Sequence, residues 1–120
     1  MQPEAADAGR LRDMIAFGEE AIALLGTLDA AQFVADRRTF LAVSRCVEIL
    51  GEAGWKLSDA MKSRRTEIPW PLIAGMRHRL VHDYGRVDGD VVYRVVTAHL
   101  PPLMLQLRAL LAELPTPPTA

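Results

Sequence analysis

Residues 39–62 read TFLAVSRCVEILGEAGWKLSDAMK and carry an unbroken helical pattern. Apolar residues recur there at intervals of three and four positions: Phe40, Val43, Val47, Leu50, Gly54, Leu57 and Met61. A second row of mostly small residues runs beside the first: Ala42, Cys46, Ile49, Ala53 and Ala60. Charged residues take the remaining face, where Glu52 and Lys56 have the i,i+4 spacing of an ion pair. The stretch therefore predicts one long helix, from about Thr39 to Lys62, with a broad apolar face.

The sequence before this stretch predicts a first helix that runs to about Leu28, preceded by a polar, frayed segment at residues 1 to about 9. Two adjacent apolar rows mark the helix: Leu11, Ile15, Gly18, Ile22 and Leu25, and beside them Met14, Phe17, Ala21, Leu24 and Leu28. Asp29 is suited to cap a short helical turn that carries Phe33 and Val34.

The sequence after it predicts two further helices. One covers about residues 71–84, because Pro71 suits a first helical turn and Gly85 suits a C-terminal stop. Asp88 can cap the last helix, in which Pro101-Pro102 should produce a kink or interruption near Leu100.

These elements predict an all-α fold, an antiparallel four- to five-helix bundle. The domain should occupy residues 1–114 and be followed by a disordered Pro/Thr-rich tail at 115–120. Half of the 120 residues are hydrophobic and only 6% are aromatic, which favours helices packed on helices. The doubled apolar rows exceed what one small bundle can bury, so we expect a homodimer.

Composition limits the classes of function. The net charge of -1 excludes an overall basic surface, so any contact with nucleic acid must be local. The single Cys46 cannot form an intramolecular disulfide, which is typical of a reduced, cytoplasmic protein. No run was found to approach the roughly 18 apolar residues of a membrane span, and the acidic start does not look like a signal peptide. We therefore expect a soluble cytoplasmic protein without membrane contact.

Residues 77–84, RHRLVHDY, concentrate the chemistry of the chain, since two of its three histidines and one of its two tyrosines lie there. On a helix of about 100° per residue, Arg77 and Tyr84 share one face, and His78 and His82 share another. Arg77 and His82 then lie about 140° apart, so one straight helix cannot direct both at one substrate atom. Either the helix ends near His82, or a second copy of the chain completes the site.

Metal and thiol chemistry are the weaker interpretations. His78 and His82 have the i,i+4 spacing of metal ligands, but Arg79 stands where a zinc protease has its glutamate, and flanking arginines repel a cation. We therefore expect no metal and no cofactor. Cys46 lies in an apolar helical row and is expected to be an inert, buried thiol.

Arg77 and His82 together could carry out phosphodiester chemistry. A histidine that titrates near neutral pH can take a proton from a ribose 2′-hydroxyl or donate one to a leaving 5′-oxygen. An arginine can hold the phosphate and stabilise the charge that develops on it. On spacing alone, however, a solvated polar helix end explains the pair better.

The surrounding phrase resembles the HEPN superfamily, and most closely the HepT-like toxins of HEPN/MNT toxin–antitoxin systems. The resemblance rests on Ile68–Tyr84, followed by Val87-Asp88. It contains a Pro-Trp, a Gly-Met-Arg segment and the signature Arg-x4-His-x-Tyr. The segment Ile49–Ala53 also resembles the glutamate-bearing long helix of that family.

The resemblance implies a homodimer in which Arg77 and His82 of both subunits line a shared cleft, and a ribonuclease that requires no metal. It further implies neutralisation by a cognate minimal nucleotidyltransferase antitoxin, which transfers AMP from ATP to Tyr84, in a complex that could be a larger hetero-oligomer. His78 stands where the family usually has Asn or Asp, which leaves its auxiliary role open. The alternative is a non-catalytic helical binding module, an adaptor for a nucleotidyltransferase partner. Trp70 is expected to be a core or interface anchor rather than a platform for RNA bases.

Overall fold

The computed structural model describes residues 3–82 and 88–115, with the side chains of 3–5 and 77–82 excepted. Its helices are α1 (Pro3–Leu25), α2 (Ala30–Ala35), α3 (Arg37–Lys56), α4 (Asp59–Lys62), α5 (Trp70–His82), α6 (Gly89–Arg94) and α7 (Leu100–Ala112), with a π-helical segment, Val95–His99, between the last two. Every regular element within these ranges is helical, which confirms the all-α prediction. The predicted stop at Gly85 and residues 116–120 of the predicted tail lie outside the described residues.

The long helix α3 is the centre of the bundle and packs against both α1 and α5, while α1 also packs against α7. Gly54 marks the point where three helices meet. A Cβ atom there would lie 2.6 Å from Ile73 Cγ2 on α5 and 3.0 Å from Met14 Cε on α1. The core around this point is formed by fully buried side chains, among them Leu11, Met14, Val43, Val47, Leu50, Ile73, Leu100, Leu107 and Leu110. The absence of a side chain at Gly54 thus allows α5 to lie directly on α3.

Two of the helix starts predicted from the sequence are confirmed. Asp29 and Gln32 form a reciprocal capping box, in which the Asp29 carboxylate accepts from the Gln32 backbone N–H at 2.8 Å. Asp88 caps α6 by accepting from the backbone N–H groups of Asp90 and Val91. The predicted ion pair on α3 is also present, since Lys56 Nζ lies 3.5 Å from a Glu52 carboxylate oxygen.

The single helix predicted from Thr39 to Lys62 is wrong, because the structure breaks it after Lys56. Leu57 and Ser58 adopt extended backbone conformations, and Ser58 begins α4 by accepting the Met61 N–H on its hydroxyl. Asp7 stabilises this break, because its carboxylate accepts from the Ser58 N–H at 3.0 Å and from the Ser58 hydroxyl at 2.6 Å. The turn therefore satisfies its polar groups through a residue 51 positions away in sequence.

The frayed start predicted for residues 1 to about 9 is also wrong over the described part. α1 begins at Pro3, and Asp7 is only 3% exposed. The bonds to Ser58 explain the order, because a buried carboxylate needs partners to replace water. The same two bonds therefore fix both the start of α1 and the end of α3.

The interruption predicted near Leu100 is confirmed, and its form is a π-helical segment. Pro101 and Pro102 lack the N–H groups that would bond the carbonyls of Thr97 and Ala98. The segment widens just before them, with the Leu100 N–H donating to the Val95 carbonyl, an i→i−5 bond. The stretch from α6 to α7 thus remains helical across the two prolines.

The expectation that no stretch could span a membrane is wrong by length and composition. Residues 89–112 form one helical stretch that is long and apolar enough to do so. The same composition is typical of a core helix in a soluble protein. Val92, Val96, Leu100, Leu107 and Leu110 of this stretch are indeed buried in the bundle.

Candidate active site

The start of α5 is fixed by Trp70. Its side chain is buried, and its indole N–H donates to the carbonyls of Lys62 and Arg65, each at 3.0 Å. These bonds tie the first turn of α5 to the last residue of α4 and to the segment that follows it. The prediction that Trp70 is an anchor rather than a platform for RNA bases is therefore confirmed. Of the two anchoring roles predicted, it is the core that Trp70 stabilises.

The inner face of α5 is defined by Ile73 and Met76, which are both buried. α5 continues as an α-helix through His82, so Arg77, His78 and His82 all belong to regular helix. At about 100° per residue, position 77 lies about 40° from Ile73, and position 82 lies about 180° from it. The two predicted chemical residues therefore keep their 140° separation within one chain.

The opposite face of α5 is open. Pro71 and Leu72 are exposed, and a Cβ atom added to Gly75 would meet nothing within 4 Å in the described part of the chain. Position 82 follows Gly75 by seven residues and so lies on nearly the same side of the helix. The register of His82 is thus on the side of α5 that faces away from the core.

Of the four residues predicted for the site, the backbones of Arg77, His78 and His82 lie on α5, whereas Tyr84 lies outside the described residues. Within the described ranges, no three His, Cys, Asp or Glu side chains come together in a group that could hold a metal ion.

Cys46 is buried in the core, as predicted for an inert thiol. Burial raises the pKa of its thiol, and the negative charge of Glu20 raises that pKa further. The thiolate form is therefore disfavoured, and Cys46 is poorly suited to nucleophilic catalysis.

The carboxylates on α3 are paired by neighbours on their own helix. Arg45 donates to Glu48 at 2.9 Å, and Lys56 lies beside Glu52. Both pairs are partly exposed, and pairs of this kind are common on solvated helix faces. A solvated face is thus sufficient to explain Glu48 and Glu52.

Trp55 is the residue to which sequence reasoning gave no role. It lies in the last turn of α3 and is 53% exposed, although it is one of the two largest side chains of the chain. The pattern contained a signal, because Trp55 follows Glu48 by seven positions and Glu52 by three. That spacing assigns it to the charged face and not to the apolar rows.

Comparison with known proteins finds similarity to a family of ribonucleases. A family model described as ribonuclease HepT-like matches residues 7–110. A protein of Thermococcus cleftensis whose name assigns it to the HepT ribonucleases is 39% identical over 71 residues, 59% of this chain and 64% of that protein. A protein of Caldanaerobacter subterraneus subsp. tengcongensis named as an RNase is 33% identical over 81 residues, 68% of this chain and 72% of its own length.

A relative in Methanocaldococcus jannaschii, also named as an RNase, is 27% identical over 104 residues, which cover 87% of this chain and 90% of that protein. No solved structure matches the chain significantly. The family match begins at the buried Asp7 and ends in α7, so it includes all of α5 with Arg77 and His82. The chain belongs to the HepT-like ribonuclease family.

Proposed function

We propose that this protein is an endoribonuclease that cleaves RNA without a metal ion and acts as the toxin of a toxin–antitoxin system. The observation that carries the proposal is the family match over residues 7–110, which includes Arg77 and His82 in the second half of α5. Membership of a ribonuclease family favours the catalytic interpretation of this pair over a solvated helix end.

The reaction is internal attack on the scissile phosphate. The ribose 2′-oxygen forms a bond to phosphorus, the bond from phosphorus to the 5′-oxygen breaks, and a 2′,3′-cyclic phosphate and a free 5′-hydroxyl result. His82 in neutral form accepts the 2′-hydroxyl proton, and a protonated His82 donates to the leaving 5′-oxygen. Arg77 holds the non-bridging phosphate oxygens and stabilises the charge that develops on them.

A homodimer resolves the geometry of the site. Because α5 is regular helix through His82, Arg77 and His82 of one chain diverge by about 140°. A two-fold partner can supply the missing group, so that each phosphate is held by Arg77 of one subunit and meets His82 of the other. The two-fold arrangement thus gives two sites in the shared cleft, and in each site the His82 that has taken the 2′-hydroxyl proton donates a proton to the leaving 5′-oxygen.

Control by a nucleotidyltransferase antitoxin follows from Tyr84. Transfer of AMP from ATP to the Tyr84 hydroxyl forms a phosphodiester and releases pyrophosphate. Its spacing of seven residues from Arg77 in the sequence predicts that Tyr84 shares the helix face of Arg77, where an added phosphate and base would block the binding of RNA. His78 is an auxiliary polar group that tunes the rate.

The test of catalysis compares the purified chain with its His82→Ala and Arg77→Ala variants on RNA in the presence of a chelator. We expect each variant to cleave roughly 100- to 10,000-fold more slowly, the usual contribution of a positioned acid or base. His99→Ala is the matched control, because His99 is an exposed histidine on the π-helical segment.

Two results would contradict the proposal. One is cleavage by the His82→Ala variant at the rate of the parent chain, and the other is loss of the parent's activity when metal is removed. Absence of cleavage by the unmodified dimer, combined with retained binding of its nucleotidyltransferase partner, would instead identify an adaptor.

The test of control is mass spectrometry after co-expression with the nucleotidyltransferase. We expect an added adenylyl mass on the peptide that contains Tyr84, and a Tyr84→Phe variant that stays active in the presence of the partner. A fully neutralised complex with unmodified Tyr84 would contradict this mechanism.

A further inference from the structure

The first turns of α3 carry a concentration of positive charge. Residues 37–45 contain three arginines, Arg37, Arg38 and Arg45, and no carboxylate. The chain as a whole has a net charge of -1, so this basic stretch is a local exception. Contact with a polyanion, in a chain of this overall charge, requires a local basic surface of this kind.

The fold makes no ion pair with two of these arginines. Arg45 is bonded to Glu48 at 2.9 Å. Among the described residues, however, no carboxylate lies within 4.0 Å of the guanidinium groups of Arg37 and Arg38. Both side chains are exposed, and positive charge in the first turn of a helix opposes the helix dipole. The stability of α3 therefore does not account for the two arginines.

Arg37 is oriented by an aromatic ring. Its guanidinium carbon lies 5.7 Å from the centre of the Phe40 ring, which is a cation–π contact. Phe40 is itself buried, and the centre of its ring lies 5.5 Å from that of Phe33. A ring contact leaves the guanidinium N–H groups able to donate to an anion. Arg37 is thus held in place at little cost to its capacity for binding phosphate.

The start of α3 lies at the same end of the bundle as the second half of α5. Gly54 packs on Ile73, and α3 ends two residues after Gly54, so α5 can pack along α3 only by running back toward its start. From this contact, nine residues along each helix lead to His82 on α5 and to Arg45 on α3, about 13 Å in both cases. Position 82 is therefore level with Arg45, and Arg38 lies about 10 Å further along α3.

The start of α6 gives independent support for this placement. α6 begins at Gly89, seven positions after α5 ends at His82, and seven residues span at most about 25 Å. A Cβ atom at Gly89 would lie 3.1 Å from Cε2 of Phe40, the residue whose ring Arg37 covers. Two separate contacts thus place the arginines near the end of α5.

We infer that Arg37 and Arg38 form a binding site for phosphates of single-stranded RNA beside the proposed cleavage site. Their guanidinium groups pair with phosphates outside the scissile bond and hold the strand at the start of α3. The inference rests on the proposed function in one respect, namely that the bound RNA is the substrate. An acidic protein is the less favoured occupant, because the strand that enters the cleavage site must pass a neighbouring surface, and this one is basic.

The binding experiment uses the full chain with His82→Ala, so that RNA is not cut, and a short single-stranded RNA of mixed sequence. Each phosphate contact on a single strand contributes about 0.7 to the slope of log affinity against log salt. The double variant Arg37→Gln/Arg38→Gln should therefore lower the slope by about 1.4. If the affinities converge at 1 M salt, this change corresponds to roughly 25-fold weaker binding at 0.1 M salt. The corresponding double lysine variant keeps both charges and should bind nearly as the parent does.

Arg12→Gln is the matched control for the loss of charge. Arg12 is an exposed arginine of α1, and the nearby Met14 packs at Gly54, so Arg12 lies toward the other end of α3. Its removal should leave the salt slope nearly unchanged. The midpoint of urea denaturation provides a further control, because Arg38→Gln removes a positive charge from a helix start and should keep or raise that midpoint.

Four outcomes would overturn the inference. The double glutamine variant could keep the salt slope of its parent, or Arg12→Gln could lower the slope as much, which would reduce the effect to net charge. A lower urea midpoint for Arg38→Gln would show that the arginine serves the fold. Finally, the double glutamine variant could change the oligomeric state in light scattering, which would make this surface an interface between copies.

The outcomes separate the phosphate site from the nuclease. RNA binding that depends on Arg37 and Arg38, in a parent chain that does not cleave RNA, would keep the phosphate site and remove the proposed activity. Cleavage by the parent chain, combined with a salt slope that the double glutamine variant does not change, would do the reverse.

Discussion

At the scale of single residues, the contact between Asp7 and Ser58 joins two parts of the chain that no local pattern connects. Asp7 is the one charged residue found buried among those described. Its carboxylate accepts two hydrogen bonds from Ser58, and Arg10 lies 4.0 Å away. Ser58 in turn caps α4. One serine hydroxyl thus satisfies a buried acid and a helix start together.

Ser58→Ala should therefore destabilise the fold. The change removes the cap of α4 and leaves the buried Asp7 carboxylate with one hydrogen bond fewer, so we expect a loss of about 1–3 kcal/mol in the free energy of unfolding. Urea denaturation followed by circular dichroism measures it. The matched control is Ser63→Ala, because the Ser63 hydroxyl donates to the exposed carbonyl of Ala60. Equal midpoints for the two variants would contradict the role assigned to Asp7 and Ser58.

The buried thiol of Cys46 predicts how the stability of the fold changes at alkaline pH. Burial, and then Glu20, raise the pKa of its thiol above the ordinary value of 9.0. The folded chain therefore holds this proton more tightly than the unfolded chain, so the related stability is fully present below pH 9 and is lost as pH rises beyond it. The Cys46→Ala variant has no thiol and should not lose this stability at alkaline pH.

The measurement is the difference in unfolding free energy between the chain and Cys46→Ala, followed from pH 7 to above pH 9. We expect the unfolding free energy of the variant to rise relative to that of the parent chain only above about pH 9, the ordinary pKa of a thiol in the unfolded state. The cavity left by the sulfur adds a constant offset at every pH. A difference that stays constant over the whole range would show that the thiol titrates alike in both states.

At the scale of elements, the sequence predicted those ends that are encoded locally and missed those that depend on distant contacts. Asp29 and Asp88 cap the helices directly after them, and such bonds span two or three residues. The break at Ser58 was missed because Leu57 and Met61 continue the apolar spacing across it. Its cause, Asp7, is 51 residues away, and a polar residue near a terminus is indistinguishable from a solvated one in sequence.

The π-helical segment before Pro101 and Pro102 allows a test of whether these two prolines cause its geometry. Replacing both Pro101 and Pro102 with Ala restores the N–H groups that can bond the carbonyls of Thr97 and Ala98. We expect amide exchange to become slower across residues 95–102 as the segment tightens to α-helix. Global stability should change by less than about 1 kcal/mol, because new helix bonds are offset by the greater freedom of the unfolded chain.

Pro71→Ala is the matched control for this pair. Pro71 lies in the first turn of α5, where a backbone N–H has no partner within the helix, so exchange in α5 should change little. Unaltered exchange around residues 95–102 in the double variant would mean that core packing, and not the prolines, sets the π-helical geometry.

At the scale of the whole molecule, the sequence predicted the helix that carries the candidate residues, but it does not encode how a second copy of the chain would complete a site. Positions 77, 78 and 82 of the candidate motif lie on α5, and Trp70 and Ile73 show how the core fixes the start of this helix. The register of α5, however, places positions 77 and 82 about 140° apart around the helix axis. Contacts between copies depend on surface shape, which helical periodicity does not encode.

The proposed sharing of sites between subunits predicts complementation between two inactive variants. In a heterodimer of Arg77→Ala with His82→Ala, one of the two sites receives Arg77 from one subunit and His82 from the other, and the second site receives neither. Equal co-expression with random pairing should restore about a quarter of the parent's ribonuclease activity, and a heterodimer purified on two different tags about half. Two differently tagged Arg77→Ala chains provide the control and should be inactive together. If the mixture is as inactive as that control, each site takes both residues from one chain, and the divergence along α5 must be resolved by a bend of the helix instead.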